Sequence, residues 1–305
     1  MMIPSYPPHL RTLFTDRERE LALLQQAADE LAEGRPRHLA LFGLRRIGKT
    51  LLLLEHAARL LEGAGVHPVR PVYVDFEELV TSPELFSHRY VGMVTFWAVS
   101  HGQDSIEPCL TPTSLLGGPG AGLRCVAQTL AAMENARDDP ATQVTLALDF
   151  PEKLADELNC RMMLLLDEFT EFGVLSHYPA VRRPWHLFRA AMQRRGRVAY
   201  AVAASAIHAM ETMVQGGGSP LFLQFHPVGR YPASRPMPPC PWQNGFWGTH
   251  LRLELPGTAS AERGHPFYIH AIASRLSELA ALPASLVPEH VSRADLARGR
   301  VTLSD

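Results

Sequence analysis

Residues 41–50, LFGLRRIGKT, constrain the fold more than any other stretch of the chain. The preceding run HLALF (38–42) is short and apolar and ends at Gly43, whereas KTLLLLEHAARLLEG (49–63) has helical length. Between and into them, Gly43, Leu44, Arg45, Arg46, Ile47, Gly48, Lys49 and Thr50 match G-x-x-x-x-G-K-[ST] without a mismatch. A strand that feeds such a loop and then a helix aims successive backbone N–H groups, and the positive helix end, at one point. That arrangement suits phosphate. Lys49 and Lys153 are the only lysines, and arginine supplies the cations elsewhere. A compact ammonium fits beside phosphate oxygens where a planar guanidinium does not. The spacing therefore gives the eight loop residues to a nucleotide, Lys49 to its β- and γ-phosphates, and the Thr50 hydroxyl to Mg²⁺.

Such a site needs a second acid to hold the metal. The run RMMLLLDEF (161–169) reads as a buried strand ending on Asp167 and Glu168. Asp167 is expected to hold Mg²⁺ through water, and Glu168 to orient and deprotonate the attacking water. An adjacent base favours hydrolysis of the nucleotide over transfer to a metabolite. The competing reading is an acid pair at a strand end that merely faces solvent.

Strand candidates alternate with helices along the chain. PVYVDF (71–76), VAYAVAAS (198–205) and LRLEL (251–255) join the two strands above. Continuous apolar strands separated by helices indicate a parallel sheet covered on both faces. Ser82 and Pro83 read as the N-cap and first position of a helix running to about residue 100. The spacing Thr15-x-x-Glu18 predicts a capping box and a helix over 15–33. Residues 110–122 read as a loop, and helices are expected near 123–137, 150–159 and 183–195. The proline-crowded segment 227–242 reads as an irregular connection, neither helix nor central strand. The last fifty residues look helical.

A length of 305 residues with 46% hydrophobic and 20% charged side chains allows one large core, or a core and a small satellite. The formal charge of −2 lacks the basic excess of a dedicated nucleic-acid or anionic-membrane binder. No apolar stretch approaches the ~18 residues of a membrane span, and the start lacks a leader's basic and apolar regions. Cys109, Cys125, Cys160 and Cys240 have no metal-ligand spacing and read as reduced thiols of a cytoplasmic protein. The histidines show no zinc motif, so Mg²⁺ is the only metal expected.

Five motifs in order resemble the AAA+/STAND side of the P-loop NTPases, and most closely the archaeal-type ATPases. FTDREREL (14–21) is similar to that family's N-terminal F-x-x-R-E-x-E-L box, GLRRIGKT to its arginine-containing Walker A, and LLLDEFTEF to its Walker B. AASAIHAME (203–211) resembles its strand-end G-S-S segment, with Ala204 where relatives have glycine, and GHPFYIHAIASRL (264–276) its lid-opening G-x-P motif. The resemblance implies an α/β P-loop NTPase core of AAA+ type, a parallel sheet of order 5-1-4-3-2, and a small C-terminal helical lid. Residues 1–256 would be the core and 257–305 the lid, with a recognition domain after it truncated or absent. It implies Ser205 as a sensor of the γ-phosphate, against which stands a helix-capping role. It places Arg17 and Pro266 near adenine and ribose, against capping and packing roles. ATP rather than GTP also follows from the resemblance.

Arg182, Arg183, Arg189, Arg194, Arg195 and Arg197 cluster on and around one predicted helix. A solvated basic face is the plain reading; a contact to a neighbouring subunit's γ-phosphate in a homo-oligomer, or to a DNA backbone, are the others. Trp97, Trp185, Trp242 and Trp247 read as core or partner contacts rather than base-stacking platforms. Three functions follow: a working Mg²⁺-dependent ATPase coupling hydrolysis to conformational change, a slow nucleotide switch acting on a protein partner, and a DNA-associated loader or transposition-type regulator.

Overall fold

Apolar runs become the strands of one parallel sheet in the computed structural model, which describes residues 6, 11, 14, 17–45, 47–62, 68–100, 105–194 and 196–230. The chain divides into two units, Met1–Gly43 with Lys49–Arg230, and Leu44–Gly48 with Tyr231–Asp305. The strands of the first unit are β1 (Leu39–Phe42), β2 (Val69–Asp75), β3 (Arg161–Asp167), β4 (Val198–Ala204) and β5 (His226–Arg230). Their order is β2-β3-β4-β1-β5, the 5-1-4-3-2 arrangement expected, and every pair is parallel. All of β4, and all of β3 beyond Arg161, is buried. This is why these strands read as unbroken apolar runs.

Prolines sit where a sheet tolerates them. Pro71 lies in β2 at one edge and Pro227 in β5 at the other, so neither missing N–H breaks a central ladder. The strand at 226–230 corrects the irregular reading of 227–242 over its first four residues; LRLEL (251–255) and the lid lie outside the described residues.

Helices α1 (Glu18–Ala32) and α2 (Lys49–Glu62) accompany β1. Helix α1 starts three residues later than the capping box predicts. Arg17 has a left-handed backbone (φ 79°) and accepts the first helical bond, Leu21 N to Arg17 O at 2.9 Å. A residue at that φ cannot be part of a helical turn, so the helix cannot extend back to Thr15.

Between β2 and β3 the chain inserts α3 (Phe76–Leu79), α4 (Pro83–Ser100), α5 (Pro112–Gly117), α6 (Arg124–Asn135) and α7 (Pro140–Glu157). Ser82 caps α4 as expected, its Oγ accepting from Leu85 N at 3.2 Å. Helix α4 is wedged between β2 and α7, which explains apolar residues on all its faces. Gly92 lets it approach Cys109 so closely that a Cβ would lie 1.9 Å from the Cys109 carbonyl oxygen.

Two expectations need correction here. Residues 110–122 contain α5, because Thr111 Oγ1 accepts from Ser114 N at 3.3 Å and Pro112 presets the first turn. Helix α7 begins ten residues before the expected 150, capped by Asp139 accepting from Thr142 N at 3.2 Å. Pro151 lies inside it and costs one backbone bond without ending it. Helices α8 (Pro184–Met192) and α9 (Ile207–Gln215) flank β4 in sequence, α8 ending before the predicted 195.

Candidate functional site

Parallel strands end at the same edge of a sheet, and the residues just past those ends converge. Gly43 follows β1, Asp167 and Glu168 end and follow β3, and Ser205 follows β4, while Lys49 and Thr50 open α2. Register pairs Phe42 with Ala204 and Asp75 with Asp167.

Lys49 is buried, with 6% of its surface exposed. Its Nζ donates to Gly43 O at 3.0 Å and to Ser205 Oγ at 3.1 Å. The Thr50 hydroxyl donates to Asp167 Oδ2 at 2.5 Å, and Tyr73 OH donates to the same oxygen at 3.3 Å. The other oxygen, Oδ1, accepts from Glu168 N at 3.0 Å. Burial holds the Asp167 carboxyl above its ordinary range, opposed first by the Thr50 hydrogen bond. The Tyr73 hydroxyl is pushed up by burial and then by the Asp167 charge, so it remains a donor.

Glu168 leaves β3 with a left-handed backbone (φ 43°, ψ 46°). Phe169 behind it is fully buried, its ring 4.9 Å from Phe188. This anchor fixes the turn and sends the Glu168 carboxylate across to β4. There Ser205 N donates to Oε2 at 3.0 Å and the Ser205 hydroxyl donates to Oε1. Ser205 caps no helix: α9 begins after Ala206, without a side-chain cap.

The structure thus brings together Gly43, Lys49, Thr50, Asp167, Glu168 and Ser205. Leu44, Arg45, Ile47 and Gly48 belong to the second unit; Leu44 is exposed and Gly48 has φ 92°, a conformation that favours glycine. Arg17 heads α1. Arg46 and Pro266 lie outside the described residues. Sequence reasoning missed Tyr73 and Asp75. Strand alternation puts this pair on one face of β2, but only the neighbouring position of β3 makes that face part of the site. The Asp75 carboxyl is pushed up to about 6, chiefly by burial, and caps α3 by accepting from Glu77 N at 2.8 Å.

A divalent ion fits this donor set. Thr50 Oγ1 and Asp167 Oδ2 already converge, and a Mg²⁺ with two protein partners would complete its shell with water and phosphate. Among the described residues no group of three or more His, Cys, Asp or Glu could hold a metal alone. A cleft of about 600 Å³ is lined by Thr170, Trp185, Thr212 and Met213 among others, and by none of the site residues.

No protein-family model and no curated protein matches the chain. The solved structures that the chain matches include the following three. The Walker-type ATPase of Pyrococcus abyssi is 15% identical with a TM-score of 0.42, over 70% of this chain and 53% of that one. The chain therefore spans about half the length of that protein. The Aeropyrum pernix ORC2 protein, in its ADPNP–ADP complexes, is 15% identical with a TM-score of 0.47, over 93% and 67%. The Aeropyrum pernix ORC1 protein, in complex with DNA, is 17% identical with a TM-score of 0.41, over 92% and 72%.

Proposed function

We propose that the chain binds ATP with Mg²⁺ at Gly43–Thr50 and hydrolyses it, as an AAA+/STAND-type ATPase that couples turnover to conformational change. The observation that carries this reading is the convergence of Lys49, Thr50, Asp167, Glu168 and Ser205 at the ends of β1, β3 and β4. The loop's N–H groups, from Gly43 to Thr50, bind phosphate and Lys49 neutralises its β- and γ-oxygens. Thr50 and Asp167 hold the metal, which when bound supplies positive charge to those oxygens. Glu168 takes a proton from the attacking water, and Ser205 donates to the γ-phosphate. Arg17 and Pro266 flank the base, and residues 257–305 act as the lid that closes on it. Buried, unpaired Cys109, Cys125 and Cys160 support a cytoplasmic setting, and among the described residues no helix is long and apolar enough to cross a membrane.

A second reading, the slow switch, is supported by the engagement of both Glu168 oxygens by Ser205. The DNA-loader reading, and one of a homo-oligomer, draw on Arg183, just before α8, and Arg189, on it, both exposed.

Calorimetric titration with MgATP and a phosphate-release assay test the main reading. Lys49→Ala should weaken binding at least ~100-fold; Glu168→Gln should keep binding and lose turnover by ~100-fold or more. Equal binding by wild type and Lys49→Ala would refute it. Retained nucleotide with negligible turnover in the wild type would favour the switch.

A further inference from the structure

We propose that the cleft between α8 and α9 is a docking site for an acidic peptide segment of a protein partner, anchored by large apolar side chains. The inference stands apart from the nucleotide chemistry. The cleft, of about 600 Å³, takes its walls from Thr170, Trp185, Thr212 and Met213 among others, and none of its lining residues is charged. The Trp185 wall is preformed. Its ring packs on Phe169 and Phe172 with centroids 5.3 and 5.4 Å away, and a Cβ on Gly173 would lie 3.2 Å from it. A pocket of this size, with an aromatic wall and a few hydroxyls, suits one or two large apolar side chains.

Gly216, Gly218 and Ser219 line one edge of the cleft, and the turn that follows presents Phe222 and Leu223, 38% and 73% exposed. Leu223 has φ 57°, a left-handed backbone that a bulky apolar residue rarely adopts, and its N–H returns to Val214 O at 3.3 Å. A leucine held in a disfavoured backbone and left in water adds nothing to the core. Beside an apolar cleft, it marks a contact surface. Charge identifies the partner. Residues 181–197 carry six arginines and no acid, and residues 212–225 carry no charge at all. Arg182, Arg183 and Arg189 are exposed and have no acidic partner among the described residues. Arg189 stands one helical turn from Trp185 and one from Gln193, whose Nε2 donates to Gln224 Oε1 at 3.5 Å. It therefore lies between the cleft and the Leu223 turn. An acidic segment satisfies these cations while its apolar side chains fill the cleft. A second copy meeting this face about a two-fold axis would set arginine against arginine, and a phosphate backbone would leave Leu223 and the cleft unused.

The test selects a random peptide library displayed on phage against the full chain, then measures the most enriched peptide, labelled with fluorescein, by anisotropy. Enriched peptides should be acidic and carry tryptophan, phenylalanine or leucine. Leu223→Gly and Arg189→Glu should each weaken binding roughly 10-fold. Leu223→Gly should melt no lower than wild type, since glycine takes φ 57° freely. No enrichment, enriched peptides without acidic residues, or an affinity unchanged in either variant overturns the proposal, and so does a lowered melting temperature of Leu223→Gly, which would make Leu223 structural. Labelled duplex DNA that displaces the peptide, is weakened by Arg189→Glu and ignores Leu223→Gly would give this face to nucleic acid instead. Self-association in sedimentation that Leu223→Gly abolishes would give it to a second copy, and either result overturns the proposal. No nucleotide is present in any arm, so failure here is distinct from failure of the ATPase reading.

Discussion

His38 should cost the protein stability as pH falls from neutrality. Its ring stands just before β1, with Tyr200 N donating to Nδ1 at 3.1 Å and the rings of Tyr200 and Phe225 centred 5.4 and 6.0 Å away. Nδ1 can accept that bond only while unprotonated, so the folded protein holds His38 neutral. Burial, and then the charge of His226, lower its pKa from 6.5 to about 4. Between those values the unfolded chain binds the proton and the folded one does not. The stabilisation is therefore complete above pH 6.5 and lost as pH falls through about 4. The gap from 6.5 to about 4, at about 1.36 kcal/mol per unit, amounts to about 3 kcal/mol. The ring is not fully enclosed, and solvent screening reduces this to about 2 kcal/mol.

Asp75 acts in the opposite sense, because its folded pKa of about 6 exceeds its ordinary 3.8 and the folded state gains protons first. Comparison with His38→Gln, whose amide oxygen can accept from Tyr200 N but does not titrate, cancels that contribution. The stability advantage of wild type over His38→Gln, measured by urea unfolding followed by circular dichroism, should shrink by about 2 kcal/mol between pH 7.5 and pH 4. A difference constant within ~0.5 kcal/mol across that range would refute the reasoning.

Two further substitutions probe the scaffold and the site. Gly92→Ala should destabilise by about 3 kcal/mol, since its Cβ would lie 1.9 Å from the Cys109 carbonyl oxygen and α4 is held between β2 and α7; a melting temperature unchanged from wild type would count against that packing. Tyr73→Phe removes a donor to the buried Asp167 carboxylate, and should cost about 1 kcal/mol in urea unfolding without nucleotide. It should also raise several-fold the Mg²⁺ concentration needed for half-maximal nucleotide binding, and no change in either quantity would dismiss Tyr73 as a support of Asp167.

The parts of the fold that could be read from the sequence are those in which one residue's chemistry decides its own conformation. Ser82 and Pro83 mark the start of α4, and the unbroken apolar run before Asp167 marks a strand buried on both faces. The start of α1 failed because the capping-box spacing carries no information on the backbone of Arg17, which the structure places in the left-handed region. Helix α7 starts ten residues before the expected 150 because Asp139 and Pro140 provide a helix start, and packing against α4 and α6 offsets the bond that Pro151 cannot make. Strand β5 was hidden by Pro227, which is tolerated because the strand lies at an edge, a property of the assembled sheet.

The same distinction runs through the site. Lys49 and Thr50 could be placed by spacing because a loop and the helix that follows it are local. Asp167 and Glu168 could be named, but not the partners that define their behaviour. Tyr73 reaches Asp167 from 94 residues away in the chain and Ser205 reaches Glu168 from 37, and both contacts exist only because β2, β3 and β4 are neighbours. A sequence with the same acids in another strand order would put Glu168 beside different donors and leave its carboxylate open to water. Which residue holds the Glu168 carboxylate is therefore a consequence of topology, even where the acid itself is evident from a dipeptide.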